Sequence, residues 1–577
     1  MDMSLDAVVA IDVAQAALKY LYLTSHAGGD GNRAEALNDR VGPFQDLEYG
    51  PSWPLIPRVI ETWRGIESSA IKMRTEQHSD LFFLNHTSFV EMHLSYIIAA
   101  LLPTASWAVP ATFESRQSEP ECKYDYFTQK VDHFGKNDST FQQKYSLSTE
   151  FYKPGGPIFY MQGAEGSPLG CIDTTAAISW AEEVGGAAVV LEHRYFGDSL
   201  PFNATNPREQ LAEYQYLTLD NVLEDVTFFL DDLKTKLEGA TDSKVITNGC
   251  SYPAWLMTIY QQTRAAKVHA TIAQSTSVEG LITEVDHTFK YGVNNLANNI
   301  YRAQNYEAWE KISNGYQALH DAVHAADYDK LKSDFGLCEL PNEETALNIR
   351  IYPGFVHLLA TQYNYNTTGL PVKDPLNTMI NIALDEQDPI KLLNRTVWTW
   401  MGPTGTKCLN VTDPQQGAYA GSGTGLQFGS FNYLNCAFCP GVSGGDYLNT
   451  TMFRFNYDSY HYVVDGCKER YNITVPKGED IRSKYNITRE DLQKSKRILW
   501  TGGEFDPENA MGPRYQGVNS PIFDINADRD VSRYLHVDGM GHCEDNHAPK
   551  DTDKETVKAA RKKTIEVIRS WLEEEQE

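Results

Sequence analysis

The sequence predicts an α/β fold in which a mainly parallel sheet is covered by helices and interrupted by a helical insertion. Short apolar runs alternate with helical periods over residues 120–278, and the same alternation returns over 491–577. Residues 279–490 are instead rich in Tyr, Asn and Trp, with helical pieces around 300–335. We therefore predict a sheet built from two parts, 120–278 and 491–577, with a mainly helical cap domain at 279–490.

The individual elements follow from hydrophobic periodicity. Continuous apolar runs that end in turn residues predict buried strands, at Pro157–Gln162, Ala187–Leu191, Lys244–Thr247, Val268–Ala273, Arg497–Trp500 and Arg533–Val537. Apolar residues spaced i, i+3, i+4 predict a helix from Leu219 to Leu233. Further helices are predicted at Ala254–Gln262 and, as an amphipathic segment, near the end of the chain.

Composition excludes some classes of function. The chain has 577 residues, 41% of them hydrophobic, which is enough for a large core. Its formal net charge of −27 argues against nucleic-acid binding, because phosphate contacts need clustered Lys and Arg. No run reaches the roughly 18 apolar residues of a spanning helix, so we expect no integral membrane segment. An acidic excess is also compatible with an exported protein that works at low pH.

Residues 92–108 have the form of a secretory signal. An apolar run from Met92 to Leu102 is followed by Pro103 and then by Ser106-Trp-Ala108, with small residues at −3 and −1 of a cleavage site. The segment is far from residue 1 and lacks a positive n-region, so an ordinary buried helix is the alternative. We interpret residues 1–91 as an upstream extension or an artefact of the gene model, with translation of the working protein starting at Met92.

Cysteines and glycosylation sequons support export. All nine cysteines lie beyond residue 108. So do eight N-x-[ST] acceptor sequons, at Asn137, Asn203, Asn366, Asn394, Asn410, Asn449, Asn472 and Asn486. An odd number of cysteines predicts at least one free thiol if the rest are paired, and we expect Cys250 to be that thiol. The pair Cys436 and Cys439 has the spacing of half a zinc site, but without a second pair we interpret both as disulfide partners.

The main chemical signal is Gly249-Cys-Ser251-Tyr-Pro253, between a predicted strand and a predicted helix. A nucleophile elbow holds Ser on a sharp strand-to-helix turn and needs small neighbours at −2 and +2. Gly249 fits this need, whereas Pro253 fits it only in part. A serine that only caps the following helix is the structural alternative.

A nucleophilic serine needs a histidine base that is oriented by a carboxylate. On this type of sheet the order Ser, Asp, His is expected, with the last two on loops after late strands. Asp506 follows the strand at Arg497–Trp500, and His542 follows the strand at Arg533–Val537. We therefore predict an α/β-hydrolase fold with Ser251 as nucleophile, Asp506 as orienting acid and His542 as base. No metal or cofactor is expected for this chemistry.

Several runs resemble the S28 family of serine carboxypeptidases. They are EHRYFGDSLP at 192–201, RILWTGGEFDP at 497–507, Gly539-Met-Gly-His542, the opening strand at Tyr126–His133 and CKERY at 467–471. The resemblance implies an acyl-enzyme peptidase, with the amide of Tyr252 as one oxyanion donor. It also implies that the Gly163–Gly166 loop supplies a second donor, and that Glu165 meets a substrate terminus or is a buried structural carboxylate.

The chain departs from the family pattern at two places. The family usually has Gly-Gly-Ser-Tyr-x-Gly, whereas this chain has Cys250, Pro253 and Ala254. It usually has Trp two residues after the catalytic Asp, where Glu508 stands here. The expected function is a secreted or vacuolar/lysosomal serine exopeptidase that cleaves short peptides at proline-containing bonds. An esterase or lipase, and an inactive peptide-binding relative, are the alternatives, and the sequence leaves open whether a homodimer forms.

Overall fold

The computed structural model describes residues 122–165, 169–202, 211–278, 292–365, 370–412, 425–440, 451–454, 459–513 and 524–573. All of them belong to one unit of the chain, Ser115–Glu577. The predicted extension 1–91 and the signal-like segment 92–108 lie outside the described residues.

Eight strands form one sheet in the described part of the chain. They are β1 (Asp125–Lys130), β2 (Thr140–Ser148), β3 (Ile158–Gln162), β4 (Ala187–Leu191), β5 (Val245–Cys250), β6 (Ala270–Gln274), β7 (Ile498–Gly503) and β8 (Arg533–Val537). Their order is β1-β2-β4-β3-β5-β6-β7-β8. β2 pairs antiparallel with both β1 and β4, and every other neighbouring pair is parallel.

Helices cover both faces of this sheet and fill the segment between β6 and β7. Those outside that segment are α1 (Ala176–Val184), α2 (Leu219–Lys236), α3 (Tyr252–Thr263) and α15 (Glu555–Leu572). Those within it are α4 (Gly292–Gln304), α5 (Tyr306–His324), α6 (Tyr328–Phe335), α7 (Glu343–Ala346), α8 (Ile351–Gln362), α9 (Pro375–Asp385), α10 (Pro389–Met401), α11 (Gly425–Ala437), α12 (Ser459–Tyr471), α13 (Gly478–Lys484) and α14 (Arg489–Gln493). In the described residues, no helix combines the length and apolar character that crossing a membrane requires.

The alternation of side chains along each strand divides the core into two layers. Tyr160 of β3 packs into a cluster with α2 and α3 on one face, whereas Phe159 packs with α1 and α15 on the other. β4 and β5 are buried along their whole length, and in β4 this burial explains a continuous apolar sequence. The sheet therefore lies between two helical layers, as the sequence predicts.

The helical insertion has two parts. Helices α4 to α10 bury a hydrophobic cluster of their own, around residues such as Tyr316, Met379 and Leu393. The later helices α11, α13 and α14 instead contribute Leu434, Ile481 and further residues to the core cluster beneath the sheet. Only the earlier part has the separate core that characterises a cap, and the later part completes the sheet's own helical layer.

Most predicted strands are confirmed at their predicted positions. β4 and β8 match the predicted bounds, and the other four differ by only a few residues at either end. β2 carries polar residues at Gln142, Gln143 and Lys144 between its apolar ones, and the sequence did not predict it. The α/β-hydrolase fold with its mainly helical insertion is confirmed.

Candidate active site

Ser251 lies at a sharp turn between β5 and α3. Its backbone has φ 63° and ψ −128°, a combination that non-glycine residues rarely adopt, and it is the residue that precedes the first turn of α3. The turn is held because the N–H of Ser251 donates to the carbonyl of Gln274 at 2.9 Å. Such conformations cost about 1–3 kcal/mol and persist only where the surrounding structure enforces them, which is mainly at functional sites. The backbone at Ser251 is that of a nucleophile elbow.

The close approach of β5 and α3 explains the residues on either side of Ser251. A Cβ at Gly249 would lie 2.6 Å from the carbonyl carbon of Pro253, so only glycine fits there. Pro253 is tolerated at the second helical position because a backbone N–H in the first turn has no intrahelical acceptor. The departure from glycine at 253 is therefore compatible with the elbow.

Asp506 and His542 are in direct contact. Asp506 follows β7 and is fully buried, and its Oδ1 lies 2.9 Å from Nδ1 of His542. The same oxygen accepts the N–H of Glu508 at 3.0 Å. With Nδ1 engaged by the carboxylate, Nε2 of His542 is the nitrogen left to exchange a proton with a substrate or a serine. The structure thus brings together two of the three residues predicted from the sequence.

The end of α8 supports the His542 loop from the cap side. The N–H of His542 donates to the carbonyl of Gln362 at 2.7 Å. The hydroxyl of Tyr365 donates to the carbonyl of His542 at 2.9 Å. A Cβ at Gly541 would lie 2.6 Å from the carbonyl oxygen of Gln362, so this loop passes directly beneath the cap. Sequence analysis missed Gln362 and Tyr365, since nothing in a sequence pairs a cap helix with a distant loop.

Two more carboxylates share the environment of His542. Glu508 accepts hydrogen bonds from the hydroxyl of Ser277 and, at 3.4 Å, from Nε2 of Gln362. One oxygen of Glu165 is buried without a hydrogen-bond partner. Burial raises the pKa of both Glu165 and Glu508 above the usual value. For His542, burial opposes protonation, but Asp506 first, then Glu508 and Glu165, raise its pKa to about 9.

The run at 192–201 orients the residue after the nucleophile. Nε2 of His193 lies 3.0 Å from the hydroxyl of Tyr252, and Nδ1 lies 2.7 Å from the carbonyl of Arg194. Burial lowers the pKa of His193 to about 4, so the ring is neutral and Nε2 accepts the tyrosine proton. Arg194 is itself fixed by a two-point ion pair with Asp225, at 2.6 and 2.5 Å.

The two predicted oxyanion regions differ in whether a backbone N–H is available to bind an oxyanion. Tyr252 is the first residue of α3, where the backbone N–H has no acceptor within the helix and can meet a developing oxyanion. Gly163, in contrast, donates its N–H to the carbonyl of Leu191 at 2.8 Å, and its carbonyl accepts from Gln162 at 3.2 Å. A Cβ at Gly163 would lie 2.6 Å from the same Leu191 oxygen. Gly163 therefore has a packing role. Its N–H is already bonded to Leu191 and is not available to bind an oxyanion or a substrate.

The structure corrects two predictions about cysteines. Cys250 is not a free thiol, because it forms a disulfide with Cys543. The free cysteine is Cys439, and its neighbour in the C-x-x-C pair, Cys436, is bonded to Cys467. The remaining bonds are Cys122–Cys171 and Cys338–Cys408. Pairing across 293 residues cannot be read from a sequence, since it depends on which loops the sheet brings together.

Cys250, Cys543 and one ring nitrogen of His542 all lie within 4.8 Å of one another. These are residue types that bind transition metals, but a metal needs thiolate ligands. Here the two sulfurs are bonded to each other. The arrangement therefore places a disulfide beside the imidazole.

The elbow, the buried Asp–His pair and the parallel sheet define an α/β-hydrolase with the machinery of a serine-dependent hydrolase. The profile of the family described as Serine carboxypeptidase S28 matches residues 129–564. The chain belongs to this family and is accordingly a serine-type exopeptidase.

Known relatives are similar over most of the chain. The human lysosomal Pro-X carboxypeptidase is 25% identical over 412 residues, covering 67% of this chain and 78% of that protein. The Caenorhabditis elegans putative serine protease pcp-1 is 24% identical, covering 78% and 82%. Among solved structures, a proline iminopeptidase of Mycobacterium smegmatis is 12% identical with a TM-score of 0.35, covering 78% of this chain and 99% of that one.

Proposed function

We propose that the protein cleaves short peptides at proline-containing bonds through an acyl-enzyme formed on Ser251. The observation that carries the proposal is the 2.9 Å contact between Asp506 and His542, on a loop joined by a disulfide to the Ser251 turn. In this mechanism His542 takes the proton of Ser251 and returns it to the leaving amine. Asp506 holds the imidazole in the tautomer that leaves Nε2 facing the nucleophile.

The oxyanion of the tetrahedral intermediate would be bound by the N–H of Tyr252. Loss of one such donor typically costs about 100-fold or more in rate, so its orientation matters. The His193 contact to the tyrosine hydroxyl, backed by Arg194 and Asp225, fixes the first turn of α3. The run at 192–201 thus contributes by orienting Tyr252, and this role does not require contact with the substrate.

The proline preference rests on the likeness to relatives named Pro-X carboxypeptidase. Glu508 replaces the tryptophan usual in the family, and its carboxylate lies beside Ser277 and Gln362. Glu508 therefore places a carboxylate where it acts on His542.

Residues 109–577 should be incubated with a mixed peptide library and the products read by mass spectrometry. We expect single residues or dipeptides released at bonds to proline, and no activity in Ser251→Ala. Ester substrates run in parallel address the esterase alternative. A fluorophosphonate probe should label the wild type and not Ser251→Ala, whereas failure of both to label would leave an inactive peptide-binding relative. Products without any bias at the cut site would remove the proline claim alone.

We also propose export to the cell exterior or to a lysosomal or vacuolar compartment. Four disulfides are typical of an oxidising environment. Of the described sequons, Asn472 and Asn486 are exposed, whereas Asn137, Asn394 and Asn410 are half-buried. Asn203, Asn366 and Asn449 lie outside the described residues. N-terminal sequencing of the secreted protein should find a start at residue 109, and an intact Met1 would contradict the proposal.

A further inference from the structure

The Cys250–Cys543 disulfide joins the residues next to the predicted nucleophile and base. Cys250 immediately precedes Ser251, and Cys543 immediately follows His542. The two Cα atoms are 5.8 Å apart, although 293 positions separate them in sequence. One covalent bond therefore connects the elbow on β5 to the loop that follows β8.

The same two segments are also tied to the end of β6. The N–H of Ser251 donates to the carbonyl of Gln274 at 2.9 Å, and the N–H of Cys543 donates to Oγ of Ser275 at 3.0 Å. Gln274 and Ser275 are consecutive, so these hydrogen bonds and the disulfide form a closed ring that includes Ser251 and adjoins His542. The disulfide is its only covalent cross-link.

Three residues of this ring have a backbone that non-glycine residues avoid. Ser251, Ser275 and Cys543 have φ values of 63°, 49° and 60°. Each such conformation is unfavourable for a non-glycine residue and persists only where surrounding structure enforces it. Breaking the cross-link removes one of the constraints, and these turns can then relax toward ordinary conformations.

We propose that Cys250 and Cys543 are positioning residues, whose disulfide holds the hydroxyl of Ser251 in line with the imidazole of His542. The inference rests on the proposed function, since it concerns proton transfer between these two residues. Misplacement by about 1 Å can cost on the order of 100-fold in rate. The rate of acylation is therefore coupled to the redox state of this bond.

The bond is accessible to a reductant from one side. Cys543 is half-buried, whereas Cys250 is 6% exposed. A dithiol supplies two electrons and two protons: the S–S bond breaks, both cysteines become thiols, and the dithiol becomes a cyclic disulfide. Both new thiols would lie beside the ring of His542, whose nitrogen is within 4.8 Å of the sulfurs.

The free thiol does not compete for this bond. Burial raises the pKa of Cys439, and the carboxylates of Glu165 and Glu508 raise it further. Only the thiolate attacks a disulfide, so a thiol kept protonated is a poor partner for exchange. We therefore expect an external reductant, and not Cys439, to open the cross-link.

The test compares the double variant Cys250→Ala/Cys543→Ala with the wild type. We expect the labelling rate of Ser251 by a small fluorophosphonate, and kcat for a peptide, to fall by about tenfold or more. KM should change much less, and a dithiol should have no further effect on the variant. The matched control is Cys338→Ala/Cys408→Ala, which removes a cap disulfide. It should label at the wild-type rate below its own unfolding temperature and stay sensitive to dithiol.

If the double variant does not fold, the native protein is reduced briefly in the cold and alkylated. Peptide mapping then relates lost labelling to modification at each cysteine. Loss that follows Cys250 and Cys543 supports the inference. Labelling within twofold of the untreated rate, once both are alkylated or both are alanine, overturns it. A wild type that neither labels nor hydrolyses peptides would overturn the proposed function and this inference together.

Discussion

At the scale of single residues, the charge around His542 determines the pH dependence that we expect of the proposed site. Burial disfavours the imidazolium, but Asp506, Glu508 and Glu165 outweigh it and raise the pKa of His542 to about 9. A general base must be neutral, so a raised pKa moves the acidic limb of kcat/KM toward higher pH. The acidic composition suggested work at low pH, whereas the raised pKa of His542 predicts activity that rises with pH across the neutral range.

Replacing Glu508 by glutamine tests whether this carboxylate raises the pKa of His542. Removing one negative charge near the ring lowers the pKa of His542, so the acidic limb of kcat/KM should move to lower pH by about one unit. The matched control is Glu504→Gln, an identical change at an exposed position of the same loop. It should leave the limb in place. An unmoved limb in Glu508→Gln would show that this carboxylate is already neutral or does not act on His542.

At the scale of elements, the junction of β5 and α3 depends on Gly249. An added Cβ would lie 2.6–2.8 Å from Pro253 atoms, two of them backbone, so the strand or the helix must shift. Gly249→Ala should therefore destabilise the protein by about 1–3 kcal/mol and slow fluorophosphonate labelling of Ser251. Thermal unfolding and labelling rates measure the two effects.

The control for that variant is Gly354→Ala within α8, where the nearest atom to an added Cβ is 3.9 Å away. Because alanine is the better helix former, this change should be neutral or stabilising. Equal stability and equal labelling in the two variants would mean that the elbow adapts without cost, contrary to the geometry at Pro253.

Helices and strands could be predicted from the sequence where burial alone determines the pattern of apolar residues. Fully buried strands such as β4 are continuous apolar runs, so the sequence located them closely. The order Ser251, Asp506, His542 was predictable because it follows the order of the strands. The disulfide partner of Cys250 was not, since pairing depends on how distant loops meet. Nor was the mutual influence of Glu165 and Glu508, which lie far apart in sequence and act on one imidazole.

At the scale of the whole molecule, the cap and the sheet meet at the His542 loop. Gln362, the last residue of a cap helix, accepts the N–H of His542, and Tyr365, just beyond that helix, donates to the carbonyl of His542. A substitution in the cap is therefore expected to alter the position of His542 directly, in addition to any effect on a substrate pocket. Through this contact, the position of the cap helps to determine where the imidazole of His542 lies.

Tyr365→Phe tests the coupling because it removes only the hydroxyl that donates to the carbonyl of His542. An unsatisfied half-buried carbonyl costs about 1–3 kcal/mol, so the unfolding temperature should fall. Labelling of Ser251 should slow several-fold, since the loop that carries the imidazole loses one anchor. Tyr306→Phe, at a residue that is 55% exposed on the cap, is the matched control and should change neither quantity. If Tyr365→Phe lowered stability but labelled at the wild-type rate, the cap would support the fold without positioning the base, and the loop would owe its placement to Asp506 and the neighbouring disulfide.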